Sequence, residues 1–248
     1  MIKFWEALEA VGAKNLKWGC KEEPEYKIIS RPRETNYWSI TEHYRGLSPA
    51  QSQYLGSCEA EATANLLEWW IWRTFRQHVT INAALIYLTA RQIFYKDSEG
   101  DGGLLLGQAT KAAHALGILP DGAGIGRVNL SVSSIVRALE YSPLVCGHRI
   151  WNGWFPRKLH QDNGCVDESQ EGEWGQGHAT LCVGTNEHNG TKLFVHMNSW
   201  GKFPPMEGMF AMTCDYSVRN MMSEPVFIKM PGDLSKWRSW EKLIICDP

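Results

Sequence analysis

The sequence lacks the defining features of several large protein classes. No C-x-x-C pair occurs among its 7 cysteines, and the formal net charge is only −2. The cysteines therefore predict neither a disulfide framework nor a zinc ribbon. No apolar run approaches the roughly 18 residues of a membrane-spanning helix. Because the chain also has no excess of basic residues, we expect neither a nucleic acid nor a membrane as its partner.

The first residues do not read as a secretory signal. Glu6 and Glu9 interrupt the apolar stretch of MIKFWEALEAVGAKNLKW, whereas a signal peptide has an unbroken apolar centre. We expect residues 1–35 to form a leader segment that wraps the domain, and we expect the protein to be cytoplasmic. A reducing cytosol also suits a chain without paired cysteines.

The apolar pattern changes along the chain and predicts an α+β protein. At 248 residues and 44% apolar composition, the chain can bury the core of one domain or of two closely packed lobes. Helical periodicity is followed by strand-like runs, which favours two segregated lobes, a helical one at about 50–140 and a β lobe at about 141–230. The predicted helices cover 58–77, 82–95, 104–116 and 132–139, and the predicted strands cover 144–147, 179–185, 193–197, 209–213 and 226–229. The cleft between such lobes is the natural place for chemistry.

A lone thiol stands where a glycine turn meets the first predicted helix, in the stretch QSQYLGSCEAEATANLL from Gln51 to Leu67. A cysteine in the first turn of a helix lies at the positive end of the helix dipole, which lowers its pKa and favours the thiolate. Cys58 is therefore a candidate nucleophile. The alternative is that Cys58 is a small buried hydrophobe, as most free cysteines are.

Two further motifs supply the groups that a thiol nucleophile needs. They are G177-H178-A179 and M197-N198-S199-W200-G201. If 186–190 form a five-residue loop between two antiparallel strands, His178 lies opposite Asn198. A tight Asn-Gly turn would instead place His178 opposite Gly201. A base with an orienting partner, together with a separate thiol, is the arrangement used for acyl transfer.

These three motifs resemble those of the papain-family cysteine proteases. They occur in the family's order of Cys, His and Asn, with His178 about 120 and Asn198 about 140 residues after Cys58, against a family spacing of about 130–150. The resemblance extends from about 36 to 227. It implies a papain-like peptidase domain over 36–248, with a helical lobe, an antiparallel sheet or barrel, and the active site in the cleft between them.

The resemblance also implies a role for each motif residue. Cys58 would be the nucleophile, His178 the general base and acid, and Asn198 the group that orients His178. Trp200 would shield the hydrogen bond between His178 and Asn198 from water. D101-G102-G103 is similar to the glycine-rich loop that borders the family's substrate cleft, so Gly102, Gly103 and Trp200 are the candidate substrate-binding residues.

Several positions depart from the family pattern. The glutamine of the oxyanion hole normally lies six residues before the nucleophile, but position 52 is serine. We assign this role to Gln51, with Gln53 as the alternative. Glu59 replaces the usual aromatic residue after the nucleophile. Both cysteines of the family's disulfide near the active site are absent.

The function implied is that of a cysteine endopeptidase that acts on polypeptides through an acyl-enzyme intermediate, without metal or organic cofactor. Only 57 residues precede Cys58, too few for the usual inhibitory pro-segment, so an inhibitor protein is a candidate partner. Two alternatives stay open: a hydrolase of peptidoglycan or isopeptide amides, and an inert peptide-binding scaffold. A metal site at His148, His160 and Cys165 is not favoured, since their spacing matches no ligand pattern.

Overall fold

The helices begin and end close to the positions that the apolar pattern predicts. The computed structural model describes residues 26–27, 53, 56–97, 101–151, 165–168, 171–188, 190–200 and 208–243. Its helices are α1 (Cys58–Phe75), α2 (Ala83–Tyr95), α3 (Gln108–Ala115), α4 (Val132–Leu139) and α5 (Cys214–Asn220), followed by a 3-10 turn at Ser239–Leu243. Helix α5 is not predicted from the sequence, because seven residues are too few to show a clear helical period.

The strands of the described residues form one open, mixed sheet. They are β1 (Tyr26–Lys27), β2 (Gly124–Arg127), β3 (Leu144–Trp151), β4 (Cys165–Val166), β5 (Trp174–His188), β6 (Thr191–Met197), β7 (Met209–Thr213) and β8 (Val226–Lys229). Their order is β1-β2-β8-β3-β5-β6-β7-β4. The β1–β2 and β4–β7 pairs are parallel, and the others are antiparallel. The α+β fold class is confirmed, with an open sheet and not a barrel.

The predicted leader and a glycine-rich stretch both contribute to one edge of this sheet. Tyr26 and Lys27 pair with Gly126 and Arg127, while the rest of 1–35 lies outside the described residues. Glycine is required at position 126, because a Cβ atom there would collide with the ring of Phe227 on β8. The apolar pattern does not predict β2, because its glycine serves a close contact with β8 that the sequence does not reveal.

Helix α1 forms the centre of the molecule. It packs against α2, α3 and β5, which explains why its residues are apolar on nearly every face. The helix ends where Arg76 adopts a left-handed conformation, with φ of 56°. A large core fills the space between α1 and one face of the sheet. A second core lies on the opposite face, under α4.

No helix among the described residues is long and apolar enough to cross a membrane.

Candidate active site

The first turn of α1 places Cys58 against the start of the central hairpin. Cys58 is half-buried at the helix N-terminus. Its Sγ accepts a hydrogen bond from the backbone N–H of Ala179 at 3.4 Å. Ala179 follows His178 directly, so the fold brings together two candidate residues that lie about 120 positions apart in the chain.

His178 and Asn198 also meet, although not through the predicted register. The five-residue loop at 186–190 is wrong: β5 and β6 continue to the His188–Thr191 pair, which leaves a two-residue turn. Near the turn, the pairing is that of the tight Asn-Gly turn, the alternative that would place His178 opposite Gly201 if it continued unchanged. A β-bulge between Cys182 and Gly184 then shifts the pairing by one residue. Beyond the last pair, Leu181–Met197, the ring Nε2 of His178 and the side-chain Oδ1 of Asn198 lie 2.7 Å apart.

The surroundings of this pair determine which nitrogen of His178 is basic. Asn198 Oδ1 also accepts the backbone N–H of Ser199 at 2.8 Å, which identifies it as the carbonyl oxygen of the amide. Nε2 of His178 therefore carries the proton and donates it, so Nδ1 holds the lone pair. Trp200 stacks on the imidazole, with ring centroids 4.6 Å apart and planes inclined by 24°.

Burial controls the protonation of both residues. It raises the pKa of the Cys58 thiol, an effect that Glu59 reinforces and that backbone N–H groups only partly oppose. Burial also lowers the pKa of His178 to about 4, although the hydrogen bond that His178 donates to Asn198 acts to raise it. Burial therefore acts against the thiolate that the position of Cys58 at the helix N-terminus favours.

One of the two candidate oxyanion glutamines lies beside the thiol. Gln53 and Cys58 line the same groove. The backbone N–H of Gln53 donates to the Ser199 carbonyl at 2.6 Å, and its Oε1 accepts from Ser199 Oγ at 2.8 Å. With Oε1 fixed in this way, the amide NH₂ is the part of the side chain that can donate to a ligand. Gln51 lies outside the described residues.

The glycine-rich loop is tied to the nucleophile turn without a disulfide. The backbone N–H of Gly56 donates to Asp101 Oδ1 at 2.7 Å. A Cβ at Gly56 would lie only 3.0 Å from the Gly102 and Gly103 backbone, so glycine permits the close approach of the two loops. Tyr87 adds a hydrogen bond from its hydroxyl to the Gly102 carbonyl at 2.9 Å.

Glu59 occupies a position that is usually aromatic in the family, and its side chain links α1 to the start of α3. Its side chain is completely buried. One carboxyl oxygen accepts the N–H of Gly107 at 3.0 Å, and the other accepts that of Ala109 at 2.8 Å. These donors lie at the N-terminus of α3, where N–H groups have no partner within the helix. The glutamate thus caps α3, a role that the sequence alone does not reveal because the capped helix lies far along the chain.

A groove of about 550 Å³ opens over Cys58 and His178. Of the candidate substrate-binding residues, Gly103 lines it, whereas Gly102 and Trp200 are not among its lining residues but lie against Gly56 and His178, which are. Five further residues that no sequence motif identifies also line the groove: Leu104, Leu105, Leu106, Gln176 and Met222. The three leucines were expected to be helical, but α3 begins only at Gln108. Their position in a loop after two glycines is the signal that could have identified them.

The metal-site candidates considered above do not come together. Cys165 is exposed on β4, whereas His148 is completely buried on β3. His160 lies outside the described residues.

Two solved structures resemble this chain over most of its length. Xylellain, a cysteine protease from Xylella fastidiosa, has a TM-score of 0.64 and 19% identity, covering 84% of this chain and 92% of that one. Amb a 11, a cysteine protease and ragweed pollen allergen in its proform, has a TM-score of 0.58 and 17% identity, covering 82% and 70%. No family model and no curated protein sequence matches. The chain therefore has a papain-like fold.

Proposed function

We propose that the protein is a cysteine endopeptidase. The observation that carries the proposal is the convergence of Cys58, His178 and Asn198 at one end of an open groove. Sγ of Cys58 lies 3.4 Å from the amide nitrogen that follows His178. The imidazole in turn lies 2.7 Å from the Asn198 amide oxygen. A nucleophile, a base and an orienting group are the elements of acyl transfer.

The mechanism requires transfer of the Cys58 thiol proton to His178. The proton moves from Sγ to Nδ1 as the sulfur attacks a peptide carbonyl, although burial opposes this transfer because it raises the pKa of Cys58 and lowers that of His178. The imidazolium then gives this proton to the leaving amine, and the acyl group stays on Cys58 as a thioester. Water deprotonated by His178 hydrolyses the thioester, releasing the acid and restoring the thiol.

Gln53 is the glutamine best supported as oxyanion donor. It lines the groove beside Cys58, and Ser199 holds its side-chain oxygen. Together with the backbone N–H of Cys58, its NH₂ group would donate to the oxygen of the tetrahedral intermediate. Donors that are already oriented contribute most of their stabilisation without reorganising.

The groove suits a polypeptide substrate with an apolar side chain near the bond that is cut. Leu105 is 70% exposed and Met222 is 50% exposed, and both line the groove. Exposed apolar side chains that border a polar catalytic group are typical of a binding surface.

The test is to profile the cleavage of a diverse peptide library by the wild type and by Cys58→Ala, with Cys165→Ala as the matched control. We expect Cys58→Ala to lose all cleavage and the control to retain it. Identical profiles for the wild type and Cys58→Ala would show that another protein cut the peptides. A folded wild type that cuts no peptide but releases amines from cell-wall muropeptides would favour the amide-hydrolase alternative. Inactivity on both substrates would favour the inert scaffold.

A further inference from the structure

Four thiol and imidazole side chains lie together behind the catalytic histidine. Cys146 and His148 belong to β3, Cys182 to β5 and His196 to β6. These strands are neighbours in the sheet. All four residues have 0% exposure, so they are closed off from the groove and take no part in the mechanism proposed above.

Distances bring three of the donor groups together, and strand register places Cys182 on the same side of the sheet. The donor atoms of Cys146, His148 and His196 all lie within 4.8 Å of one another. Cys182 is the direct partner of His196 across the β5–β6 pair, and it belongs to the same buried cluster as Cys146. Residues paired directly across a sheet project from the same face, so Cys182 faces the same space as the other three.

The imidazole of His196 is oriented as a metal ligand usually is. Its Nδ1 lies 3.1 Å from Thr180 Oγ1. With the hydroxyl oxygen as acceptor, the proton resides on Nδ1 and the lone pair on Nε2. Within the part of the chain that the structure describes, this buried Nε2 has no hydrogen-bond partner. A histidine that binds metal through one nitrogen commonly donates from the other to an oxygen of this kind.

Two thiols and two imidazoles are a donor set that suits zinc. Zn²⁺ in structural sites takes four such ligands in a tetrahedron, with Zn–S of about 2.3 Å and Zn–N of about 2.0–2.1 Å. Neighbouring donor atoms are then roughly 3.3–3.8 Å apart, so the longest separation among Cys146, His148 and His196, which is within 4.8 Å, would need to close by about 1 Å, and Cys182 would need to turn toward them. Magnesium and calcium prefer oxygen ligands.

We propose that Cys146, His148, Cys182 and His196 bind one structural Zn²⁺ ion. The two thiols lose their protons to solvent on binding, and the resulting thiolates balance the charge of the ion. The site holds three strands together directly behind the proposed catalytic pair, since His148 is the register partner of His178 and Asn198 follows His196 by one intervening residue. The proposed zinc site goes beyond the peptidase proposal and does not depend on that proposal.

The first test measures metal in a protein that cannot bind it through the groove. Full-length Cys58→Ala, which lacks the groove thiol, is produced in zinc-containing medium, passed through gel filtration and analysed by mass spectrometry of its metals. We expect close to one zinc per chain. Folded protein with essentially no zinc, or with copper in its place, would overturn the proposal, whatever the outcome of the peptide-cleavage test.

A conservative variant separates metal binding from folding. Thr180→Val keeps the shape of the side chain but removes the acceptor of the His196 Nδ1 proton. We expect its zinc affinity to fall by about 10–100-fold, measured by competition with a chromophoric chelator. Cys165→Ser, which changes an exposed thiol outside the set, should not alter the affinity. Equal affinities for Thr180→Val and the wild type would contradict the assignment of His196.

Cobalt substitution identifies the ligands even if ligand variants fail to fold. Refolding Cys58→Ala with Co²⁺ in place of zinc should give a thiolate-to-cobalt charge-transfer band and intense d–d bands of tetrahedral coordination. Adding Zn²⁺ should remove both. Refolded protein without these bands would overturn the proposed site.

Discussion

His178 and His196 are buried histidines in the same sheet, but they face different surroundings. Each has one ring nitrogen held by a neighbour: Asn198 Oδ1 for His178 and Thr180 Oγ1 for His196. They differ in what lies at the other nitrogen. His178 lines the groove that contains Cys58, whereas His196 faces buried thiol and imidazole groups within the core.

This difference shows that orientation alone does not make a histidine catalytic. Asn198 fixes the tautomer of His178, and Thr180, where its hydroxyl oxygen accepts, leaves a directed lone pair on His196 as well. Access to substrate then distinguishes the proton transfer proposed for His178 from the metal binding proposed for His196. The same sheet carries both proposed sites, one open and one closed.

The largest expected effect separates the two histidines. His178→Ala should lower kcat/KM by roughly 10⁴-fold or more, because the base of the acyl transfer is lost, while zinc content and Tm change little. His196→Ala should lose zinc and lower Tm markedly, yet the molecules that remain folded should keep most of their turnover. The measurements are peptide kinetics normalised by active-site titration, metal analysis and thermal unfolding.

The exposed His114 supplies the matched control, since His114→Ala should change none of these quantities. If His196→Ala reduced turnover per folded molecule as much as His178→Ala, the division into an open and a closed site would be wrong.

A second prediction sharpens the description of the open site. Gln53→Glu keeps the shape of the side chain and an oxygen that accepts from Ser199 Oγ, but it replaces the donating NH₂ group. We expect kcat to fall by about 10²–10³-fold, with a smaller change in KM. Gln176→Glu, which changes another glutamine in the groove, should have a weaker effect. A loss in Gln51→Glu together with normal turnover in Gln53→Glu would assign the oxyanion role to Gln51.

The sequence predicted the open site better than the closed one. Cys58, His178 and Asn198 each lie in a local motif, and local motifs can be read directly. The proposed zinc ligands come from three strands, and only the strand pairing brings them together. The register itself depended on a bulge at Cys182–Gly184, and hydrophobic alternation did not reveal that insertion.

The fold shows the same division between local and non-local information. Strands β7 and β8 have the predicted ends, since each is a short apolar run with clear boundaries. Helix α3 starts later than predicted, because Glu59 caps it from the distant helix α1. The burial that raises the pKa of Cys58 is likewise a property of the whole fold, which the local position at a helix N-terminus does not reveal.

A third prediction concerns the buried carboxyl groups beside the thiol. Burial raises the pKa of both Glu59 and Glu61 to about 7. The folded state therefore holds protons that the unfolded state releases near its ordinary pKa of 4.5, so the free energy of unfolding should fall as pH rises from about 4.5 to 7. Each group contributes at most roughly 3 kcal/mol to this fall.

Glu59→Gln and Glu61→Gln should each flatten the pH dependence, measured by urea unfolding between pH 5 and 8. Glu59→Gln should also cost about 1–3 kcal/mol at pH 5, because one of the two N–H groups at the start of α3 loses its acceptor. The exposed Glu140 provides the control, and Glu140→Gln should leave the slope unchanged. An unchanged slope in both buried variants would mean that these carboxyl groups are ionised throughout.

The smallest expected effect lies at the outer wall of the groove, where the open site meets solvent. Leu105 is 70% exposed, so Leu105→Asn should leave Tm within about 1 °C. It should lower kcat/KM by about 3–10-fold for peptides with an apolar side chain near the cut bond, and less for polar peptides. Leu130→Asn is the matched control, since Leu130 is also exposed, at 43%, but is not among the groove residues. Equal losses for apolar and polar peptides would show that Leu105 supports the shape of the loop and does not contact the substrate side chain.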